Sequence, residues 1–171
     1  ETSLYDSFES NNNALVNIDP YSASSNGNPL YLTISNYGDG NATINANRTD
    51  SNTGRVMYIG ENANVTLKNL ILTGGYLKND ENKNGGGIYS KGNCNLNYCT
   101  ISGNTAKASG GSVRGGGVYI ESGSFTMEDC TISGNTAGSE TSVANAYGGG
   151  IYGESGTNIT MNDTTISENK V

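Results

Sequence analysis

The chain has 171 residues, a net charge of −7 and only 15% charged residues. A surface of this sign lacks the clustered Lys and Arg that phosphate binding needs, so nucleic acid is excluded as a partner. The sequence has no His, which removes the usual general base and the commonest metal ligand, and no run of 18 apolar residues that would span a membrane as a helix.

In chain order, residues 1–29 read as an N-terminal cap with an irregular first strand. Leu4–Ile18 is expected to cover the first sheet edge. From residue 30 onward the apolar residues alternate in short runs, the period of strands rather than helices. Tyr31-Leu32-Thr33-Ile34-Ser35 and Ala42-Thr43-Ile44 are the strands of a first coil. Val56-Met57-Tyr58-Ile59, then Val65-Thr66-Leu67, then Leu70-Ile71-Leu72-Thr73-Gly74 make a second.

Three closer copies follow. Gly85-Gly86-Gly87-Ile88-Tyr89 leads to Cys99-Thr100-Ile101-Ser102-Gly103-Asn104, and Gly115-Gly116-Gly117-Val118-Tyr119 to Cys130-Thr131-Ile132-Ser133-Gly134-Asn135. Gly148-Gly149-Gly150-Ile151-Tyr152 leads to Thr164-Thr165-Ile166-Ser167-Glu168-Asn169. Tyr58, Tyr89, Tyr119 and Tyr152 are 31, 30 and 33 residues apart.

A fixed unit with variable joints is the mark of a solenoid. The expectation is an all-β, right-handed parallel β-helix of about five coils over residues 30–171, with three short strands per coil. The stretches Tyr76–Asn84, Lys107–Arg114 and Gly138–Tyr147 absorb the length differences and are expected as exposed loops. Stacked coils form inward ladders: Val65/Cys94/Phe125/Ile159, Leu67/Leu96/Met127/Met161, Leu70/Cys99/Cys130/Thr164 and Leu72/Ile101/Ile132/Ile166. No polar cap follows the last strand, so a longer repeat array is expected.

The Gly-Gly-Gly-Ile-Tyr and Thr-Ile-Ser-Gly-Asn coils, with Asn41-Ala42-Thr43-Ile44 and Val65-Thr66-Leu67-Lys68-Asn69-Leu70 before them, resemble the repeats of polymorphic-outer-membrane-protein type. They also resemble those of adhesin-like right-handed β-helix proteins. The resemblance covers roughly residues 30–171. It implies a non-catalytic member of the pectate-lyase-like superfold, secreted or displayed at the cell surface or outer membrane as part of a longer protein. It further implies an adhesive or shielding role. The chlamydial type carries Gly-Gly-Ala-Ile with Phe-x-x-Asn, whereas Ile-Ser-Gly-Asn or Ile-Ser-Glu-Asn stands here, so that particular family is not assigned.

The candidate binding residues are Tyr58, Tyr89, Tyr119 and Tyr152. If Ile88, Val118 and Ile151 point inward, these rings point outward, where a row of aromatic faces could stack on a glycan or a partner protein. The plainer reading, which carries more weight, has the rings stacked on each other or lying beneath the loops.

The outward Thr33/Ser35, Thr100/Ser102, Thr131/Ser133 and Thr165/Ser167 array has the geometry of some ice-binding solenoids, but Ile71 interrupts it. β-Propensity with a polar outer face explains it more simply. Asn104, Asn135 and Asn169 are read as a structural amide ladder. Glu128, Asp129 and Asp163 could offer oxygens to Ca²⁺, but a solvated acidic corner is the preferred reading, and no metal or other cofactor is expected.

Cys99 and Cys130 stack within disulfide range, yet three inward cysteines read as buried thiols. Asn64-Val65-Thr66 and Asn158-Ile159-Thr160 match glycosylation sequons, which carry no weight in a chain so rich in Asn and Thr.

A polysaccharide lyase would need Lys or Arg beside carboxylate-bound Ca²⁺, and a glycosidase paired carboxylates. None of Arg48, Arg55 and Arg114 aligns with an acidic ladder, so no catalysis is expected. The function expected is binding of a glycan or a host or partner protein through an exposed solenoid face. The alternatives are a structural stalk, a polysaccharide-active enzyme and an ice-binding solenoid.

Overall fold

The computed structural model describes residues 14–19, 29–78, 83–141 and 145–171. The expected cap lies largely outside these residues. The first coil contains β1 (Ala14–Ile18), β2 (Leu30–Ser35) and β3 (Ala42–Asn45). The second holds β4 (Arg55–Ile59), β5 (Ala63–Lys68), β6 (Leu70–Thr73) and β7 (Tyr76–Lys78). The third holds β8 (Ile88–Ser90), β9 (Asn93–Asn97), β10 (Thr100–Ser102), β11 (Thr105–Ala108) and β12 (Ser112–Arg114). The fourth holds β13 (Val118–Ile120), β14 (Ser124–Glu128), β15 (Thr131–Ser133), β16 (Thr136–Ser139) and β17 (Asn145–Tyr147). The last holds β18 (Ile151–Gly153), β19 (Asn158–Asn162) and β20 (Thr165–Ser167).

Corresponding strands pair in parallel, giving three five-stranded sheets: β1-β4-β8-β13-β18, β2-β5-β9-β14-β19 and β3-β6-β10-β15-β20. The described residues form an all-β parallel solenoid of about four turns. Among the described residues there is no helix. Ala14–Ile18, within the expected cap, forms the first rung and pairs with β4.

The inward ladders come together as the alternation requires. Cys94 pairs with Val65 and Phe125, Leu96 with Leu67 and Met127, and Ile101 with Leu72 and Ile132. All are buried, in one continuous core. On the last rung Met161 and Ile166 are about half exposed, because each ladder ends there. Burying their counterparts Met127 and Ile132 contributes about 1.5–3 kcal/mol per side chain.

Two expectations need correction. The coils do not all hold three strands, and the variable stretches are not simply exposed loops. β7, β11 and β16 form a three-stranded sheet and β12 pairs with β17, so the length-varying side of the solenoid is itself laddered. The reason is a second apolar cluster. Leu77, Ala106, Ala108 and Val113 are fully buried there, with Ala146 packed against them. Ala106, Ala108 and Val113 alternate with Thr105, Lys107, Ser112 and Arg114, a strand pattern masked by the surrounding Gly and Ser.

Candidate functional site

The repeated residues turn out to hold the coils together. Asn104 and Asn135 are fully buried. The Asn135 Oδ1 accepts from the Asn104 amide and from its Nδ2, both at 3.0 Å. The Asn135 Nδ2 donates to the Ile101 carbonyl at 2.9 Å, and Asn169 repeats the scheme one coil on. In the second coil Gly75 occupies this column and its N–H donates to the Asn104 Oδ1 at 2.9 Å. The amide ladder is therefore structural, as expected.

The glycine triads explain their own placement. A Cβ on Gly117 would lie 2.7 Å from the Gly150 carbonyl oxygen and 2.9 Å from the Asn135 amide. The glycine strand lies directly against the asparagine column, and only a residue without a side chain fits there.

The tyrosine column departs from the exposed row that a binding face requires. Tyr58, Tyr89 and Tyr119 are only 7%, 7% and 5% exposed. Ring centroids are separated by 5.4 Å from Tyr58 to Tyr89 and 4.9 Å from Tyr89 to Tyr119. Tyr152, on the last rung, is half-buried, 6.1 Å from Tyr119. The rings point away from the main core but are covered. The buried Arg55 guanidinium lies 4.9 Å over the Tyr89 ring, and that of Arg114 lies 5.5 Å over Tyr152.

The hydroxyls are taken up as well: Tyr89 donates to Glu121, and Tyr119 donates to Glu154 at 2.9 Å. Burial, then the Glu154 bond, pushes the Tyr119 phenol up to about 12. Sequence alternation predicted the side of the strand correctly; it carried no information on the arginines that lie over that side.

The outer Thr/Ser array is in register, Thr100 with Thr131 and Thr165, Ser102 with Ser133 and Ser167, and Ile71 interrupts it. Asp129 and Asp163 sit at one corner, with Glu128 beside them on β14. Among the described residues no three His, Cys, Asp or Glu side chains converge as metal ligands.

That corner is where the coils differ. Between the second and third sheets, coils two to five turn on a single residue in the left-handed region: Asn69 (φ 54°), Tyr98 (φ 54°), Asp129 (φ 52°) and Asp163 (φ 45°). Asn and Asp tolerate this conformation; a bulky Tyr seldom adopts it. In the first coil six residues, 36–41, take the place of that one. The Asn36 Nδ2 donates to the Gly40 carbonyl at 3.0 Å and holds the loop folded. Its two ends stay in the sheets, through Asn36 N–H to the Lys68 carbonyl and Ala42 N–H to the Asn69 carbonyl.

The loop lies beside the corner and borders an open cleft of about 430 Å³. Gly38, Asp39 and Asn41 line it from the loop, and Asn69, Tyr98 and Asp129 from the corner. Cys99 and Thr100 complete the lining. Tyr98 is 58% exposed, and the nearby Asp129 carboxylate pushes its phenol up. Tyr37, beside the loop's first glycine, is fully exposed.

The cleft presents an aromatic ring, two carboxylates and two amides, with no cation in its lining. Such a set suits a neutral, hydroxyl-rich ligand. The ring takes the apolar face of a sugar, while carboxylate and amide oxygens accept from its hydroxyls. The carboxylates disfavour anionic ligands. Sequence reading singled out Asp129 but missed Tyr98 and the loop. The usable signals were the six-residue joint of the first coil and the Tyr standing where other coils have Asn or Asp.

No family model matches the chain, and no curated protein or solved structure matches it.

Proposed function

We propose that this protein is a non-catalytic, adhesin-like solenoid of the cell surface or extracellular space that binds a neutral glycan at the corner cleft. One observation carries the reading: an exposed Tyr98, held in the left-handed region next to Asp129, lines a cleft of about 430 Å³ together with amides and a second carboxylate. A bulky residue kept in a costly backbone conformation, with its ring presented to solvent, is the kind of local strain associated with binding sites. The adhesin-like repeat pattern and the surface sparse in charge support the location. A glycan-array screen followed by calorimetric titration tests it. Binding should weaken at least about tenfold in Tyr98→Ala and in Asp129→Asn. No cleavage of uronic-acid or neutral polysaccharides is expected.

A second reading, a structural stalk, has its own support. The glycine, tyrosine and asparagine columns, which account for most of the repeat, are buried or bonded between coils. A wild-type protein that binds nothing on the array would favour the stalk.

A further inference from the structure

Cys99 and Cys130 occupy the same position in the third and fourth coils, one residue before the paired Thr100 and Thr131. Rungs are spaced by about 4.8 Å, which falls within the Cα separation of about 4.4–6.8 Å seen in disulfides. The Cys99 amide donates to the Cys130 sulfur at 3.5 Å, and the Cys99 thiol donates to the Leu67 and Asn97 carbonyls at 3.4 and 3.3 Å. Cys94, also buried, lies in a different ladder between Val65 and Phe125. All three are free thiols. Two residues of the cleft, Tyr98 and Asp129, immediately precede this pair in the chain, and Cys99 is itself part of the lining.

We infer that Cys99 and Cys130 are a modification site: a thiol pair that a hydroperoxide converts to an inter-coil disulfide, which resets the relation of Tyr98 to Asp129 in the cleft. The effect on ligand binding rests on the cleft reading above; the bond itself does not. The chemistry balances with one peroxide. The Cys130 thiolate attacks a peroxide oxygen, the O–O bond breaks, and a sulfenic acid forms while hydroxide leaves and takes up the thiol proton as water. The Cys99 sulfur then attacks the Cys130 sulfur, the S–S bond forms, and the S–O bond breaks. The second water carries off the Cys99 proton. Two electrons pass from the two sulfurs to the peroxide oxygens.

The roles follow from the bonding. The neighbouring Cys99 side chain and the hydrogen bond from the Cys99 amide lower Cys130 against the opposing effect of burial, so it is the attacking sulfur. Cys99 is the resolving one. Burial pushes the isolated Cys94 up and leaves it inert. Both paired sulfurs are buried, so a small oxidant is needed; Cys99, though not Cys130, lines the cleft.

The test uses the full chain. After hydrogen peroxide treatment, free thiols are alkylated and the digest is mapped without reduction. The titratable thiols should fall from three to one. The Cys99 and Cys130 peptides should be joined, Cys94 alkylated, and dithiothreitol should restore all three thiols. Cys94→Ser should behave as wild type, and Cys99→Ser should leave a Cys130 sulfenic acid that dimedone traps. Glycan affinity, measured on oxidised and reduced protein, should differ by about fivefold, and the difference should vanish in Cys99→Ser.

A cross-link to Cys94, links formed only between molecules, or three thiols still free would overturn the site. A cross-link that leaves affinity unchanged would overturn its regulatory half. A cross-link in protein that binds no glycan in either state would leave the bond standing and refute the cleft reading.

Discussion

The asparagine column and the corner column each place one residue per coil and share the same rung spacing, yet their side chains follow different patterns. The first reads Gly75, Asn104, Asn135, Asn169, and each member bonds to its neighbour and to buried backbone. The second reads Asn69, Tyr98, Asp129, Asp163, with nearly one φ throughout and three side-chain types. Where a side chain satisfies the coils on either side, its identity repeats. Where only the backbone is prescribed, the side chain is left to vary, and in this protein the cleft opens over that column.

Substitution in the first column should therefore be costly and in the second nearly neutral. The largest effect is expected for Asn135→Ala. It strips the partners of the Asn104 amide and of the Ile101 carbonyl, both buried, and should lower stability by about 3 kcal/mol or more in urea unfolding. Gly117→Ala, which forces a methyl against the Gly150 carbonyl, should cost about 2 kcal/mol by the same measurement. If either variant unfolds at the wild-type midpoint, the glycine and asparagine columns do not hold the coils as described.

The tyrosine column sharpens the contrast through pH. Tyr119 in the folded protein is raised to about 12 from its ordinary 10.0, chiefly by burial and then by Glu154. A raised phenol contributes stability that is fully present below about pH 10, where an unfolded Tyr is still protonated. That contribution is lost as pH rises towards 12. Alkaline unfolding followed by circular dichroism should show stability declining across this window, and Tyr119→Phe should flatten the decline. An unchanged pH profile in Tyr119→Phe would show that Tyr119 does not contribute to it.

The smallest effect on stability belongs to the corner. Tyr98→Asn places a residue suited to the left-handed region and should leave the unfolding midpoint at or slightly above wild type. A large loss would mean that Tyr98 is structural after all.

Much of the stack could be read from residue order alone. Val118 and Ile120 alternate with Tyr119, Phe125 with Met127, and the spacing of the triads sets the period, so the register of the three main sheets followed. Two parts were not legible. The covering of the tyrosines depends on Arg55, distant by 34 positions from the ring it lies over, and no periodicity marks such a contact. The cleft depends on a loop of the first coil lying beside residues of the third and fourth, a relation that stacking creates and sequence order hides. Asp129 was visible as an acid at a corner, but Tyr98 beside it in the cleft sits in the preceding coil, and no residue pattern in the sequence ties the two together.

We propose that the variable corner, rather than the repeated tyrosine strand, is the binding surface. Amide chemical-shift mapping of the isotopically labelled chain, titrated with the best array glycan, addresses it most directly. Perturbations should concentrate at residues 37–41, 69, 98–100 and 129 and disappear in Tyr98→Ala, whose unfolding midpoint stays at the wild-type value. Shifts centred on Tyr152 and its neighbours, surviving in Tyr98→Ala, would place the binding surface on the tyrosine strand instead.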